Sequence, residues 1–204
     1  MNFNFERLFA VILEVASADD SFTNRMVRVI DECAAQQPHA DWELFRELSY
    51  DEDHSRLSPW LSRAFGQGWT HTECKGIWFG LVQVERGGEV VADVYASAAS
   101  QFDPESIEWA YEVHRNNGAA YLDSPVLAAI YRLAYGRHGG LANAAEYPLA
   151  LAYGALAGRA ALEAAPLPSP LLSLQGAAVG YDDGDLLFLG KFVEGKFVSQ
   201  PREG

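Results

Sequence analysis

Basic charge is what this sequence has least of. Three lysines and twelve arginines stand against 28 Asp and Glu, for a formal charge of -13. A chain of that sign repels a phosphate backbone unless its cations gather in a stripe, and here they are scattered, so nucleic acid is excluded as a direct ligand. Cysteine is as scarce. Cys33 and Cys74 are the whole complement, too few for a disulfide framework, and they read as reduced, buried thiols. Long apolar runs are missing as well: the most apolar span, 147–165, carries Pro148, Arg159 and Glu163 and reads as a buried helix rather than a membrane span. The opening Met-Asn-Phe-Asn-Phe-Glu has no basic stretch, and the apolar segment from Leu8 to Val15 contains Glu14. No secretion signal is expected, and the expected compartment is the cytoplasm.

Catalytic motifs form the next gap. There is no GxSxG elbow. Gly76, Gly80, Gly87 and Gly88 fall in strands and a turn rather than ahead of a helix, so neither a dinucleotide fingerprint nor a phosphate loop is formed. His71, Glu73 and Cys74 bring three ligand types within four residues. A zinc site needs a second pair elsewhere, and His39, His54, His114 and His138 stand in neither an HExxH nor a CxxC relation. The run Tyr181-Asp182-Asp183-Gly184-Asp185 is rich in oxygen ligands but lacks the register of a calcium loop, and reads as a hairpin turn. Neither a metal nor a cofactor is expected.

What is present is the material of a compact fold: 49% hydrophobic and 12% aromatic residues over 204 positions, enough apolar surface to offset the entropy of ordering the chain. The first third is helical in period. Phe5, Leu8, Phe9, Ile12 and Leu13 make one stripe; after cap chemistry at 18–21, Phe22, Met26, Val29, Ile30 and Cys33 make another. A third short helix is expected over 41–48 and a fourth, interrupted by Pro59, over about 52–65. At Lys75 the period shifts toward 2, and Gly87-Gly88 marks the turn of a hairpin over 75–98. Asp103-Pro104-Glu105 opens a predicted helix running through 107–111, and Asp123-Ser124-Pro125 opens another over 126–135, with Gly136 as its stop. An Ala-rich helix follows over 144–165. A second hairpin is expected over 171–192, with Lys196-Phe197-Val198 extending the sheet.

These elements predict an α+β fold: one antiparallel sheet of about four or five strands built from the hairpins 75–98 and 171–192, with an N-terminal helical region and a helical insert packed on one side. The whole chain, 1–204, reads as a single domain, with a subdivision at 1–68 and 69–198 as the alternative.

The acids are the stronger functional signal. Residues 1–102 hold 16 acids against 8 bases, and Asp51-Glu52-Asp53 follows Tyr50 in an expected interhelical loop. An acidic face with aromatic anchors suits a basic protein partner; the candidate residues are Trp42, Tyr50, Asp51, Glu52, Asp53, Trp60 and Trp69. In size, acidity and missing catalytic chemistry the chain resembles the small acidic immunity proteins of bacterial toxin systems. That resemblance implies a non-catalytic protein that neutralises a cognate toxin, such as a basic toxin domain, by covering its active or binding surface. The competing reading is an enzyme or small-molecule binder with a pocket between sheet and insert, where Glu108, Trp109, Tyr111 and His114 supply acid-base groups from one predicted helix. A third is a self-associating homo-oligomer joined through the Gly154 and Gly158 face of the Ala-rich helix.

Overall fold

The computed structural model describes residues 3–57, 59–66, 73–106, 108–111, 113–114, 121–136, 140–164, 167–182 and 184–199. The two N-terminal stripes are helices α1 (Phe5–Ser17) and α2 (Phe22–Gln36). Each begins where a short polar side chain relieves an unpaired amide: the Asn4 side chain accepts from the Arg7 amide, and the Ser21 hydroxyl from that of Asn24. The second stripe is buried against the rest of the molecule; in the first, Leu8 and Ile12 are buried, Phe9 and Leu13 half-buried, and Phe5 is exposed. Three one-turn helices follow, α3 (Trp42–Arg46), α4 (Tyr50–His54) and α5 (Trp60–Ala64). The interrupted helix expected over 52–65 is therefore two separate turns. Pro59 has no amide hydrogen to continue a ladder, and it sits as the N-cap of α5.

The expected hairpin is β1 (Gly76–Arg86) and β2 (Glu89–Ala99), with Arg86 opposite Glu89. Gly87 and Gly88 hold φ of +62° and +86° at its turn, angles that cost any side-chain-bearing residue. Beyond β2 the predicted helix through 107–111 is instead a 3₁₀ turn, Glu108–Tyr111, because the chain turns back at once to pair β3 (Val113–His114) with the end of β2. Strand β4 (Tyr121–Leu122) pairs with β2 as well. Helices α6 (Pro125–Tyr135) and α7 (Asn143–Glu163) then lead to β5 (Gly176–Tyr181), β6 (Leu186–Val193) and β7 (Lys196–Ser199).

The seven strands of the described residues join one sheet in the order β3-β2-β1-β5-β6-β7, with β4 beside β2. Both hairpins belong to it, as expected, but two features correct the sequence reading. Short edge strands bring the number above four or five, and the sheet is mixed: β1 and β5 run parallel, Gly76 paired with Gly176 through Leu81 with Tyr181. Side chains alternate with the same period in either direction, so direction is set by the connection alone. Here the helices between β2 and β5 return the chain to the end of the sheet where β1 starts.

Helix α7 crosses the inner face of the sheet, meeting β1, β5 and β6 on one side and α1, α2, α5 and α6 on the other. From Ala144 to Gly158 every residue except Tyr147 is buried. This burial corrects the interface expected for a homo-oligomer, since the Gly154 and Gly158 face is turned to the sheet. A carbon added at Gly158 would lie 2.6 Å from the Phe79 ring, which is itself fully buried. Gly158→Val should therefore lower stability by about 2–3 kcal/mol, because overpacking at such contact exceeds any gain in helix propensity; urea unfolding of the two proteins measures it.

Candidate functional site

The aromatic residues expected to anchor a partner are core residues. Trp42 is 1% exposed, and Tyr50 and Trp60 are fully buried. The Trp42 indole donates to the Gln37 carbonyl at 2.8 Å, the Tyr50 hydroxyl to the Phe45 carbonyl at 2.8 Å, and Trp60 packs on Phe79 with ring centres 5.5 Å apart. These indole and phenol rings cover more core area than any other side chains nearby, so burying them outweighs presenting them. Trp69 and His71 lie outside the described residues. Asp51 and Glu52 are exposed on α4, a helix rather than the expected loop, and Asp51 accepts from the Thr23 amide at 3.2 Å. Glu73 is exposed and Cys74 fully buried. Among the described residues, no three His, Cys, Asp or Glu side chains come together as a metal site.

Asp53 is not part of the acidic surface. It is 5% exposed, and one of its oxygens accepts from the Ser124 hydroxyl at 2.5 Å and the Tyr153 hydroxyl at 2.7 Å. Arg56 stands 3.8 Å from the other. A second buried carboxylate, Glu146, is 2% exposed and accepts from three tyrosines: Tyr131, Tyr181 at 3.0 Å and Tyr135 at 3.4 Å. Buried carboxylates of this kind are charge-assisted cross-links between elements. They also act on their donors. Burial, reinforced by the adjacent carboxylate, pushes the Tyr153 and Tyr181 hydroxyls well above the usual phenol range, and burial does the same to Tyr50.

The outer face of the sheet, away from the helices, carries a smaller aromatic cluster of Trp78, Tyr95, Ala99, Trp109 and Ala178. Tyr95 lies flat over its cross-strand partner Gly80, where an added carbon would come within 2.3 Å of the ring. Beside it opens a cavity of about 90 Å³ bordered by Trp78, Tyr95, Ala110, Tyr111, Asp182 and Leu186. A hydrogen-bonded row runs along its wall: the Trp78 indole donates to the Tyr95 hydroxyl at 3.2 Å, and that hydroxyl donates to Asp182 at 2.5 Å. Tyr111 is 72% exposed at the rim, and Tyr121 packs on Tyr95 with ring centres 5.6 Å apart. On the same face the Ser97 hydroxyl and the Trp109 indole nitrogen are buried without hydrogen-bond partners among the described residues.

The pocket anticipated from the 108–114 segment thus exists in part, but on the opposite side of the sheet from the helical insert. Tyr111 borders it; Trp109 packs next to it on Phe102, with centres 5.1 Å apart; Glu108 is exposed on the same 3₁₀ turn; His114 enters the edge strand β3 opposite Ala98. Trp78, Tyr95 and Asp182 were not among the candidates. The signal that could have found them is Gly80, a glycine inside a strand opposite a tyrosine, which marks a ring lying across the backbone.

Two wider depressions each contain a cation of the chain's own. One, of about 350 Å³, holds Glu52, Asp53 and Arg56; the other, of about 490 Å³, lies beside Tyr131 and Tyr135, where Arg132 stands 3.6 Å from Glu89. The segments bordering the outer pocket differ: 100–111 and 181–186 hold Asp103, Glu105, Glu108, Asp182, Asp183 and Asp185, and no Lys or Arg. Compared with protein-family models, curated proteins and solved structures, the chain matches none.

Protons on the buried phenols have a measurable consequence. Burial also raises the Cys33 thiol to about 12 from an ordinary value near 9.0. All these groups stay protonated in the folded state after the unfolded chain has begun to ionise, so stability is intact below about pH 9 and falls as pH rises through the unfolded values of about 9 to 10 toward the raised folded ones. Denaturant melts across this range should show that decline. The phenolate absorbance of Tyr50, Tyr153 and Tyr181 should appear together with unfolding, and Cys33 should resist alkylation in the native protein at neutral pH.

Proposed function

We propose that this chain acts by binding another protein, without chemistry of its own, as a small acidic immunity protein that covers the active or binding surface of a cognate toxin. The observation that carries the reading is the outer pocket. At about 90 Å³ it is well below the roughly 300–1,000 Å³ of sites that enclose a metabolite. It suits a single inserted side chain, the form that hot-spot contacts between proteins commonly take. Its two bordering segments add acids only, and the charge of -13 favours encounter with a basic surface. Asp51 and Glu52 contribute to that long-range field from α4; Trp42, Tyr50, Asp53 and Trp60 are occupied in the core.

A second reading rests on the Tyr95 and Asp182 pair. A phenol donating to a carboxylate at the mouth of a pocket is usable acid-base equipment, and on this view the chain binds or transforms a small molecule on the outer face.

Coexpression with the products of reading frames adjacent to this gene separates the two. One of those products should arrest growth alone, growth should return when this chain is made with it, and the two proteins should copurify. Their association should slow as salt is raised, since surface charges are screened over about 8–10 Å near physiological ionic strength. Neighbours without toxicity, together with turnover of a small molecule by the purified protein, would overturn the reading.

A further inference from the structure

We infer that Arg25 is the base of an anion site whose occupant is a singly charged carboxylate. Arg25 lies on α2 and is 8% exposed. Its guanidinium, which keeps its charge in a protein, stands over the Phe22 ring, 5.6 Å from the ring centre. Among the described residues that ring is its one partner: no carboxylate lies within ion-pair distance, and the buried Nε has no hydrogen-bond acceptor. A ring face offsets part of the charge but supplies no oxygen to the N–H groups. The half-buried arginines of the described residues are paired within the chain, Arg46 with Asp31 and Glu43, and Arg159 with Glu163. Arg25 is more buried than either and has no such pair. Burial, and then the positive charge of Arg159, weaken its hold on its proton. A cation withdrawn from water without a counter-ion is costly, and an anion supplied from outside removes that cost.

Neighbouring groups decide the class of occupant. Because Nε is enclosed, an anion meets the terminal nitrogens, which share the same delocalised charge and offer parallel N–H donors to the two oxygens of a carboxylate. Asp20, Asp51 and Glu163 act on Arg25 from beyond ion-pair distance. Each already has donors of its own: the Ser21 amide at 2.7 Å and the Asn24 side chain at 2.8 Å for Asp20, the Thr23 amide at 3.2 Å for Asp51, and Arg159 at 2.9 Å for Glu163. These acids tolerate one negative charge on Arg25 and oppose a second, so a carboxylate is favoured over a phosphate dianion. Since α2 covers the helical side of the sheet, the site is separate from the outer pocket and does not rest on the immunity reading.

The test uses the whole protein, labelled with nitrogen-15, and follows the Arg25 Nε–H signal, assigned by its loss in Arg25→Lys. Sodium propionate is exchanged for sodium chloride at constant ionic strength, and uncharged propionamide is titrated as the control. Propionate should shift the signal saturably in the millimolar range, propionamide should bind at least about tenfold more weakly, and inorganic phosphate no more tightly than propionate. Propionate should also raise the melting temperature of the natural protein and leave that of Arg25→Met where chloride leaves it. N-acetyl-glutamate amide distinguishes the two sources of a carboxylate. Affinity equal to that of propionate assigns the site to free acids, and affinity about tenfold higher assigns it to the side chain of a protein partner; either keeps the site. Propionamide binding as tightly as propionate, no saturable shift in the folded protein, or an equal gain in melting temperature in Arg25→Met overturns the inference. Phosphate binding about tenfold more tightly than propionate overturns the choice of carboxylate.

Discussion

From Ala144 to Gly158 helix α7 has, Tyr147 apart, no residue turned to water, and enclosing that stretch on every side is the constraint from which the rest of the arrangement follows. An amphipathic helix needs one neighbour; this one needs a sheet beneath it and helices over it. The sheet supplies β1, β5 and β6, and the cover comes from α1, α2, α5 and α6. Small residues make the enclosure tight. Alanines and the two glycines let Phe79 and Val179 reach the helix backbone, and dispersion contacts at that range are numerous even though each is small.

Apolar contact alone does not fix how a smooth, alanine-rich helix is rotated or how far it slides. The buried carboxylates of Asp53 and Glu146 do so here. Asp53 on α4 accepts from Tyr153 on α7 and from Ser124, whose hydroxyl also caps α6 by accepting from the Leu127 amide at 3.0 Å. Glu146 on α7 is bound by tyrosines of α6 and β5. Each carboxylate therefore pins three elements at one point. Leaving either set of partners unsatisfied costs about 1–3 kcal/mol per group, which penalises every other rotation of the helix.

Legibility in the sequence tracks the range of the interaction. The hairpin of β1 and β2 could be read because its turn glycines and alternation are local, and α1 and α2 because stripe and cap sit together. The parallel pairing of β1 with β5 could not, since it joins residues about 100 positions apart and leaves the alternation of each strand unchanged. Strands of two residues, β3 and β4, have no period to detect. The tryptophans illustrate a different limit. Trp42 and Trp60 belong equally to a core or a binding surface by composition, and only the packing of Trp60 on Phe79 decides. The site was half visible: Tyr111 was among the candidates, whereas the hydrogen bond between Tyr95 and Asp182 spans 87 positions.

The parallel seam also sets a timetable. On the ribosome β1 and β2 are complete as a hairpin long before β5 is made, and at about 5–20 residues per second the interval from Leu81 to Gly176 is on the order of 5–20 s. Throughout that time the edge of β1 that β5 will cover is an open row of amides and carbonyls on a strand with apolar side chains on both faces. Nascent chains crowded on one message therefore share an identical unsatisfied edge. Yield from overexpression should depend on how quickly translation proceeds through the helical insert, a vulnerability that belongs to synthesis and vanishes once the chain has closed.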